Sequence, residues 1–243
     1  MSFLYETHLH TFESSHCAWI KAAEQVKLYK DLGYAGIIVT DHLKSLNFKI
    51  GQLKHLKLLM SWEKKVEYLT RGYKKAKEEG DKIGLDVFLG WEFTYQGSDF
   101  LTYGLGVNFL LKNNDLDAMP IEAYSALIRN NGGYIAQAHP YRNKAGERRV
   151  PVDPRLLDGV EVFNAARHGK EDENQKALDF ARSHDLPTQA GTDSHRRLDP
   201  KSYSGIITGK KMENINDIIN AIKTRTATPI LPPMDYKKHN ASL

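Results

Sequence analysis

Short apolar runs alternate along the chain with longer segments whose apolar residues recur every three or four positions. Runs of the first kind predict strands, and segments of the second kind predict amphipathic helices. The predicted strands are 3–9, 35–40, 85–93, 100–107, 133–139, 159–164, 187–193 and 203–208. The predicted helices are 17–32, 58–79, 120–130, 171–184 and 214–224.

This alternation favours a mostly parallel sheet whose strands are connected by crossover helices. Seven or eight strands suit a closed barrel better than two separate domains. The predicted architecture is therefore a single α/β domain over 1–243, in which 211–243 contribute a C-terminal helix and a tail. The last dozen residues, rich in Pro and Lys, are predicted to be loosely held.

Composition agrees with a soluble globular protein, because 41% of the 243 residues are hydrophobic and 26% are charged. The single cysteine, Cys17, excludes an intrachain disulfide and a zinc site built from cysteines. The first ten residues lack the basic and apolar regions of a signal peptide. No stretch approaches the roughly 18 apolar residues of a membrane span. We therefore expect a cytoplasmic protein that does not associate with membranes.

The formal net charge is +4, and much of the basic surplus lies between Lys54 and Lys77. Apolar residues from Leu59 to Ala76 recur at helical spacing there, and the lysines lie mainly on the other faces. A solvated helix surface explains this pattern best. Nucleic-acid binding stays possible but weakly supported, because exposed aromatic residues are not interleaved with the lysines.

Polar residues concentrate at the carboxyl ends of the predicted strands, the edge at which α/β barrels build their active sites. Chance could place one or two such residues there, but it would rarely place most of the histidines of a chain. The residues at these positions are His8, His10, Asp41, His42, Glu92, His139, Glu161, Asn164, Asp193 and His195.

His8 and His10 lie two positions apart in one predicted strand, so their side chains point to the same face. At a rise of ~3.3 Å per residue they are separated by about 6–7 Å along the strand. Two imidazoles at that separation can converge on one metal ion. A lone pair of this kind is weak evidence, but carboxylates and imidazoles at other strand ends strengthen it.

The sequence carries, in this order, the motifs HLHT, TDH, GWE, AHP and GTDSH. As a set they resemble the PHP (polymerase and histidinol phosphatase) family, over about residues 5–210, whereas each motif alone would be weak. The resemblance implies a distorted (β/α)7 barrel of the TIM-like kind. It also implies two or three divalent metal ions (zinc, manganese or iron) in a cleft, and metal-dependent hydrolysis of phosphate esters.

The resemblance further implies which residues hold the first two metal ions. The first ion would be bound by His8, His10, Glu92 and Asp193. Glu92 would bridge to the second ion, which His139 would also bind. The implied nucleophile is a metal-bound hydroxide held by Glu92 and Asp193.

A third implied metal position would be held by His16, His42 and His195. His16 would then serve a different ion from the neighbouring histidine pair in the first strand. Glu161 and Asp41 are interpreted as acceptors that orient metal-bound histidines, rather than as ligands.

Asp99 departs from the pattern of the family, because many members have a histidine in the segment that follows the bridging glutamate. A carboxylate can replace imidazole at a hard or borderline metal ion. Its negative charge would favour manganese or iron over zinc. In the alternative interpretation Asp99 is only a turn residue.

Arg142 and Arg167 follow predicted strand ends, where histidinol phosphatase-like members place arginines that bind the phosphate. The planar guanidinium matches the oxygens of a phosphate group, although a solvated surface position would explain either residue equally well. His168 is also near the predicted mouth of the barrel, where a role in substrate binding is possible.

The predicted function is hydrolysis of a small phosphomonoester. One alternative is a nucleotide or oligonucleotide phosphoesterase of the nuclease type. Another is a catalytically silent metal-binding module, against which the near-complete set of ligands argues. A metal-dependent amide hydrolase is a more distant alternative, and the two candidate phosphate-binding arginines argue against it. The substrate itself is chosen by loops at the barrel mouth and cannot be predicted from these motifs.

Overall fold

The computed structural model describes residues 2–43, 61–144, 147–148, 151–167, 171–197 and 203–231. The strands are β1 (Phe3–Leu9), β2 (Gly36–Val39), β3 (His42–Leu43), β4 (Asp86–Tyr95), β5 (Ser98–Tyr103), β6 (Tyr134–Ala138), β7 (Asn143–Lys144), β8 (Glu147–Arg148), β9 (Gly159–Asn164), β10 (Thr188–Gly191), β11 (Gly205–Thr208) and β12 (Thr228–Ile230). The helices are α1 (Ala22–Asp31), α2 (Trp62–Leu69), α3 (Arg71–Ile83), α4 (Val107–Lys112), α5 (Ile121–Asn130), α6 (Glu171–Ser183) and α7 (Ile215–Lys223).

The main sheet follows the order β10-β9-β6-β5-β4-β2-β1-β11-β12, and β3 pairs with the end of β4. The sheet curls until the end of β1 meets the segment after β10. There Leu9 forms a parallel bridge with Ser194, and the backbone N–H of Asp193 donates to the carbonyl of His8 at 2.8 Å. The strands therefore form a nearly closed barrel, as the sequence predicts.

The sheet is mixed rather than mostly parallel, which corrects the prediction. β5 is antiparallel to both β4 and β6, and β11 is antiparallel to β1 and β12. A two-residue hairpin joins β4 to β5, and its residues Gln96 and Gly97 both have positive φ, 46° and 83°. Such a turn matches the twist of paired antiparallel strands, so no crossover helix is needed.

Two predicted helices have different bounds in the structure. The first begins at Ala22 rather than at Cys17, because the preceding residues form turns, with the Phe12 N–H donating to the Ile20 carbonyl at 2.9 Å. The second is divided into α2 and α3 at Thr70, whose hydroxyl donates to the Val66 carbonyl at 2.8 Å. Part of the predicted second helix, 58–60, lies outside the described residues.

The barrel interior towards the amino ends of the parallel strands is filled by a buried network of polar groups. The Tyr103 hydroxyl donates to the Thr7 carbonyl at 2.6 Å and accepts from Gln189 at 2.8 Å. Tyr134 donates to the same glutamine at 2.9 Å. Buried hydroxyls and amides need hydrogen-bond partners, and these groups satisfy one another. The network therefore fills one end of the barrel, which leaves the other end for a site.

No helix in the described ranges is both long enough and apolar enough to cross a membrane. α7 is amphipathic and packs Ile218, Ile219 and Ile222 against the barrel, as its sequence pattern predicts. Residues 232–243, which include the predicted loose tail, lie outside the described residues.

Candidate metal centre

Strand ends at one mouth of the barrel bring most of the predicted site residues together. His8 lies one residue before the end of β1, Glu92 lies in β4, His42 begins β3 beside it, and His139 follows β6 directly. Asp193 and His195 follow β10. Because the carboxyl ends of neighbouring parallel strands meet at the same edge, residues distant in sequence become neighbours here.

The first group consists of His8, His10, Glu92 and Asp193. The Nε2 atoms of the two histidines lie 3.0 Å apart, and the Glu92 carboxylate oxygens lie 3.4 Å and 3.6 Å from them. Asp193 Oδ1 lies 3.5 Å from His8 Nε2 and 3.2 Å from His10 Nε2. All four side chains are buried. Two imidazoles and two carboxylates thus converge on one point.

The second group consists of Glu92, Asp99 and His139. His139 Nε2 lies 3.4 Å from Glu92 Oε1 and 3.9 Å from Asp99 Oδ2. Asp99 lies within β5, is buried, and pairs with Thr94 and Ala138 on the neighbouring strands. The interpretation of Asp99 as a turn residue is therefore wrong. The Thr94 hydroxyl donates to Asp99 Oδ1 at 2.7 Å and fixes the orientation of the carboxylate.

The third group consists of His10, His42 and His195, whose nitrogen atoms all lie within 4.8 Å of one another. His16 is not in this group. Its ring is exposed and lies against Tyr68, with the Tyr68 hydroxyl 3.4 Å from His16 Nε2. The assignment of His16 as a metal ligand therefore stays a prediction, and it requires the ring to turn inward.

Several buried polar atoms at the centre lack a hydrogen bond. Within the described part of the chain, no hydrogen bond of good geometry reaches either Glu92 oxygen, Asp193 Oδ1 or either ring nitrogen of His139, although His42 Nδ1 lies 2.6 Å from Glu92 Oε2. An unsatisfied buried polar group costs about 1–3 kcal/mol, more when it is charged. Oxygen and imidazole nitrogen are the donors that zinc, manganese and iron accept, so these atoms fit divalent cations.

Glu161 holds two of the histidines in place, as the sequence predicts for an orienting acceptor. Its Oε1 lies 2.8 Å from His8 Nδ1, and its Oε2 accepts from the backbone N–H of His139 at 3.0 Å. A Cβ atom at Gly191 would lie 2.5 Å from the His8 Cβ and 2.9 Å from Glu161 Oε1. Glycine at 191 therefore leaves the room that the His8–Glu161 contact needs.

Asp41 plays a different part from the one predicted. It accepts from the Thr11 N–H at 2.8 Å, from the Thr11 hydroxyl at 2.6 Å and from the Ser15 hydroxyl at 2.6 Å. It reaches His10 through Ser15, whose hydroxyl lies 3.4 Å from His10 Nδ1. Asp41 therefore fastens the loop after β1 rather than orienting a histidine directly.

Backbone conformation is strained at two residues of the centre. His139 has a φ of 29° and Asp193 a φ of 51°, both in the left-handed region that disfavours residues with a Cβ atom. Each such residue costs on the order of 1–3 kcal/mol, which the surrounding structure must offset. In return, the His139 side chain points towards Glu92, and the Asp193 side chain points towards His8 and His10.

The buried charges shift one another's pKa values in the metal-free protein. Burial lowers the pKa of His8, but the adjacent Glu161 and Asp193 carboxylates outweigh it and raise that pKa well above its ordinary value of 6.5. Burial raises the pKa of Glu92, but His42 and other imidazoles outweigh it and hold that pKa well below 4.5. The carboxylates are therefore kept ionised, as metal ligands must be.

These shifts predict how the stability of the metal-free protein depends on pH. The raised pKa of His8 stabilises the fold fully below about pH 6.5, and this contribution is lost as the pH rises through the folded-state value. Burial lowers the pKa of His195, but Asp193 and Cys17 outweigh it and raise that pKa to about 10, which acts in the same direction. The lowered pKa of Cys17, about 5 instead of 9, offsets the His195 contribution over much of this range, so His8 carries the net effect. The lowered pKa of Glu92 stabilises the fold above about pH 4.5, and this contribution is lost only as the pH falls below that value. The Tm of chelator-treated protein should therefore fall as the pH rises from about 6.5 towards about 10.

The same protein loaded with metal provides the control for that measurement. Imidazoles must lose their protons to bind a cation, so metal affinity rises with pH, and the loaded protein should resist the alkaline loss. A metal-free Tm that is constant or increases over this pH range would show that the buried histidines are not held protonated by the carboxylates.

Arg142 lies at the edge of the centre, whereas Arg167 cannot be placed. Arg142 Nη1 is 3.9 Å from Asp193 Oδ2, and the side chain is 27% exposed. The backbone N–H of Arg142 donates to the His139 carbonyl at 2.9 Å, which holds the Arg142 backbone beside the end of β6. The Arg167 backbone ends the 3₁₀ turn Ala165–Arg167, but its side chain and all of His168 lie outside the described residues.

Cys17 is a residue of this region that the sequence patterns do not reveal. Its Sγ lies 3.2 Å from His42 Nε2. Burial raises the pKa of the Cys17 thiol, but hydrogen bonds to His195 and His42 outweigh it and lower that pKa to about 5. The only sequence feature that points to this residue is its position beside His16.

Comparison with protein-family models gives no match, and comparison with curated proteins gives none either. Solved structures do match. One is a two-domain protein from Bacteroides vulgatus that contains a predicted PHP-like metal-dependent phosphoesterase, with 15% identity and a TM-score of 0.69. The match covers 96% of this chain and 65% of that one.

The fold is that of the PHP-like phosphoesterases. Two further structures share it: an amidohydrolase from Chromobacterium violaceum (13% identity, TM-score 0.56, 96% of this chain and 99% of that one) and the lesion-specific endonuclease PfuEndoQ from Pyrococcus furiosus (12% identity, TM-score 0.59, 95% and 58%). The prediction of a PHP-like barrel is thus confirmed. Identities this low concern the fold alone, so the reaction must be argued from the site.

Proposed function

We propose that the protein is a metal-dependent hydrolase that cleaves a phosphate ester, and that its substrate is a small phosphomonoester. The observation that carries the proposal is the convergence of Glu92 and Asp193 on the imidazoles of His8 and His10, with all four side chains buried. Such a site is costly without a cation and suited to one.

Two or three divalent cations would be held by the three groups described above. Glu92 belongs to the first two groups and would bridge their cations, and His10 belongs to the first and third. When bound, clustered divalent cations supply Lewis-acid stabilisation of a phosphoryl group and a water of lowered pKa. Asp99 makes the second group rich in oxygen, which favours manganese or iron at that position over zinc.

The residues of the chain itself would bind and orient the ester. Arg142 carries its charge to the edge of the centre, where its guanidinium can donate to phosphate oxygens that the cations do not contact. Glu161 keeps His8 in one orientation through its 2.8 Å contact. The backbone hydrogen bond between Arg142 and His139 fixes the position of the arginine relative to the metal centre.

Arg142→Ala is expected to lower kcat/KM for a phosphomonoester by at least about 10-fold, or about 1.4 kcal/mol, with metal content unchanged. The reason is that the alanine variant keeps the ligands and loses a donor to the phosphate. Steady-state kinetics and metal analysis of the same preparation measure both quantities. Arg155→Ala is the matched control, because Arg155 is exposed and paired with Asp153. Unchanged kinetics for Arg142→Ala would favour a substrate without a phosphate group, such as an amide.

A nucleotide or oligonucleotide is the second candidate substrate, and one observation favours it. Trp19 and Phe12, in the loop after β1, are 71% and 57% exposed, and the guanidinium of Arg196 lies 5.1 Å from the Trp19 ring. The backbone N–H of Trp19 donates to the His195 carbonyl at 2.8 Å, so the segment that carries this aromatic surface adjoins the centre. Exposed aromatic rings beside cations are platforms for nucleobases.

A substrate screen separates the two candidates. Sugar phosphates, histidinol phosphate, nucleotides and short oligonucleotides would be compared at fixed metal concentration. Preference for the first two classes supports the small-phosphomonoester proposal. Preference for nucleotides or oligonucleotides that is lost in Trp19→Ala would support the second candidate instead.

A further inference from the structure

Cys17 lies beside the third group of histidines, where the sequence predicts no sulfur ligand. Its Sγ is 3.2 Å from Nε2 of His42, and the His42 Nδ1 atom lies 2.6 Å from Glu92. The two nitrogen atoms of one ring thus connect the thiol on one side with the carboxylate of the first two groups on the other. The thiol is therefore in position to share a cation with this group.

The loop that carries Cys17 is fastened on both sides of the residue. The Ala18 N–H donates to the Ser15 carbonyl at 2.9 Å, and the Trp19 N–H donates to the His195 carbonyl at 2.8 Å. Ser15 is in turn held by Asp41 at 2.6 Å. These contacts place the Cys17 backbone between β3 and the segment after β10, so the side chain points to the third group without rearrangement of the loop.

A second, independent observation indicates a cation at this point. Asp193 is buried, and its Oδ1 has no hydrogen-bond partner among the described residues. That oxygen lies 3.2 Å from His195 Nδ1 and 3.2 Å from His10 Nε2. The nitrogen atoms of His10, His42 and His195 thus lie within 4.8 Å of one another, Asp193 Oδ1 is next to two of these imidazoles, and Cys17 Sγ is next to the third.

We propose that the Cys17 thiolate is a ligand of the outermost cation, together with His42 and His195, in the position that the family resemblance gives to His16. The proposal rests on the metal centre of the proposed function. His16 lies against Tyr68 and outside the group of histidines, whereas the Cys17 sulfur contacts His42 of that group. On coordination, the thiol proton passes to solvent and sulfur donates an electron pair to the cation.

A sulfur ligand has a chemical consequence for the outermost position. Thiolate with imidazoles selects zinc or ferrous iron, whereas the oxygen-rich group around Asp99 suits manganese as well. The outermost position would therefore prefer a softer cation than the second group. When two metals are supplied together, the outermost position would bind the softer one and the second group would bind the harder one.

Cobalt(II) binding tests the proposal, because a cobalt–thiolate bond has a near-ultraviolet charge-transfer band that nitrogen and oxygen ligands do not give. Chelator-stripped protein would be titrated with cobalt(II), and bound metal would be counted in the same samples. The chain has one cysteine, so any such band reports on Cys17. We expect the band in the parent protein and in His16→Ala, and we expect it to be absent in Cys17→Ser.

Cys17→Ser should also lower the apparent affinity for the last cobalt ion bound by at least about 10-fold, since losing a ligand costs no less than losing an outer-shell partner. Cys17 is exposed, so the serine variant should fold normally, which circular dichroism verifies. Cobalt bound without the band would refute the thiolate ligand and leave the metal centre intact. Protein that binds no cobalt would refute the metal centre itself, and the proposal with it.

Discussion

Glu92→Gln is expected to lose most of its bound metal and nearly all hydrolytic activity. Glu92 lies 3.4 Å from both His8 Nε2 and His139 Nε2, so it belongs to two metal groups at once. Glutamine keeps the size of the side chain but replaces an anionic oxygen by an amide that repels a cation. The loss of affinity should exceed the roughly 10–100-fold cost of removing an outer-shell partner. Metal analysis after gel filtration and a phosphatase assay measure the two effects.

Glu122→Gln is the matched control, because it makes the same change of charge at an exposed position of α5. This variant should retain metal and activity. Circular dichroism of Glu92→Gln separates loss of ligation from loss of fold, since removing the carboxylate also leaves the neighbouring imidazoles without their counter-charge. A folded Glu92→Gln with full metal content would show that Glu92 does not bridge two cations.

Asp99→Ala is expected to lose about one metal ion per chain, while the group of His8 and His10 stays filled. Asp99 Oδ2 points to the second group, 3.9 Å from His139 Nε2, and the burial of this carboxylate strengthens its attraction for a cation there. Asp99→His should recover much of the binding and shift its preference towards zinc, since imidazole suits zinc well. Metal counting and competition between zinc and manganese test both statements.

Thr94→Val serves as the control for the Asp99 variants. It removes the hydroxyl that donates to Asp99 Oδ1 at 2.7 Å but leaves both carboxylate oxygens in place. A smaller loss of affinity is expected, with the number of metal ions unchanged. Stoichiometry of Asp99→Ala equal to that of the parent would show that the carboxylate has a structural role only.

The positions of the strands could be predicted from the sequence because a buried strand consists of a short run of apolar residues. β1 has the predicted bounds, Phe3–Leu9, and β9 likewise occupies Gly159–Asn164. Strand direction could not be predicted in the same way. The apolar pattern of a buried strand is the same whether the strand runs parallel or antiparallel to its neighbours. The turn at Gln96 and Gly97 that reverses β5 also lacks the Asn-Gly or Asp-Gly pair that predicts a hairpin.

The structure brings the predicted site residues together where they lie in strands or directly after them, and it leaves His16, in the loop after β1, outside. His8 and Glu92 occupy strands whose pairing fixes their direction, so alternation along the strand was sufficient. The loop after β1 has no such period. Which of His16 and Cys17 faces the centre depends on tertiary contacts such as that of Trp19 with His195, which are invisible in the sequence.

The central claim is that the clustered side chains hold divalent cations that the hydrolysis of a phosphate ester requires. The most direct test combines metal analysis of the purified protein with turnover of an aryl phosphate before chelation, after chelation, and after manganese or zinc is returned. The account predicts about two or three ions per chain, no turnover after chelation, and recovery on reconstitution. Protein that binds no divalent metal, or that hydrolyses the ester equally well after chelation, would contradict it.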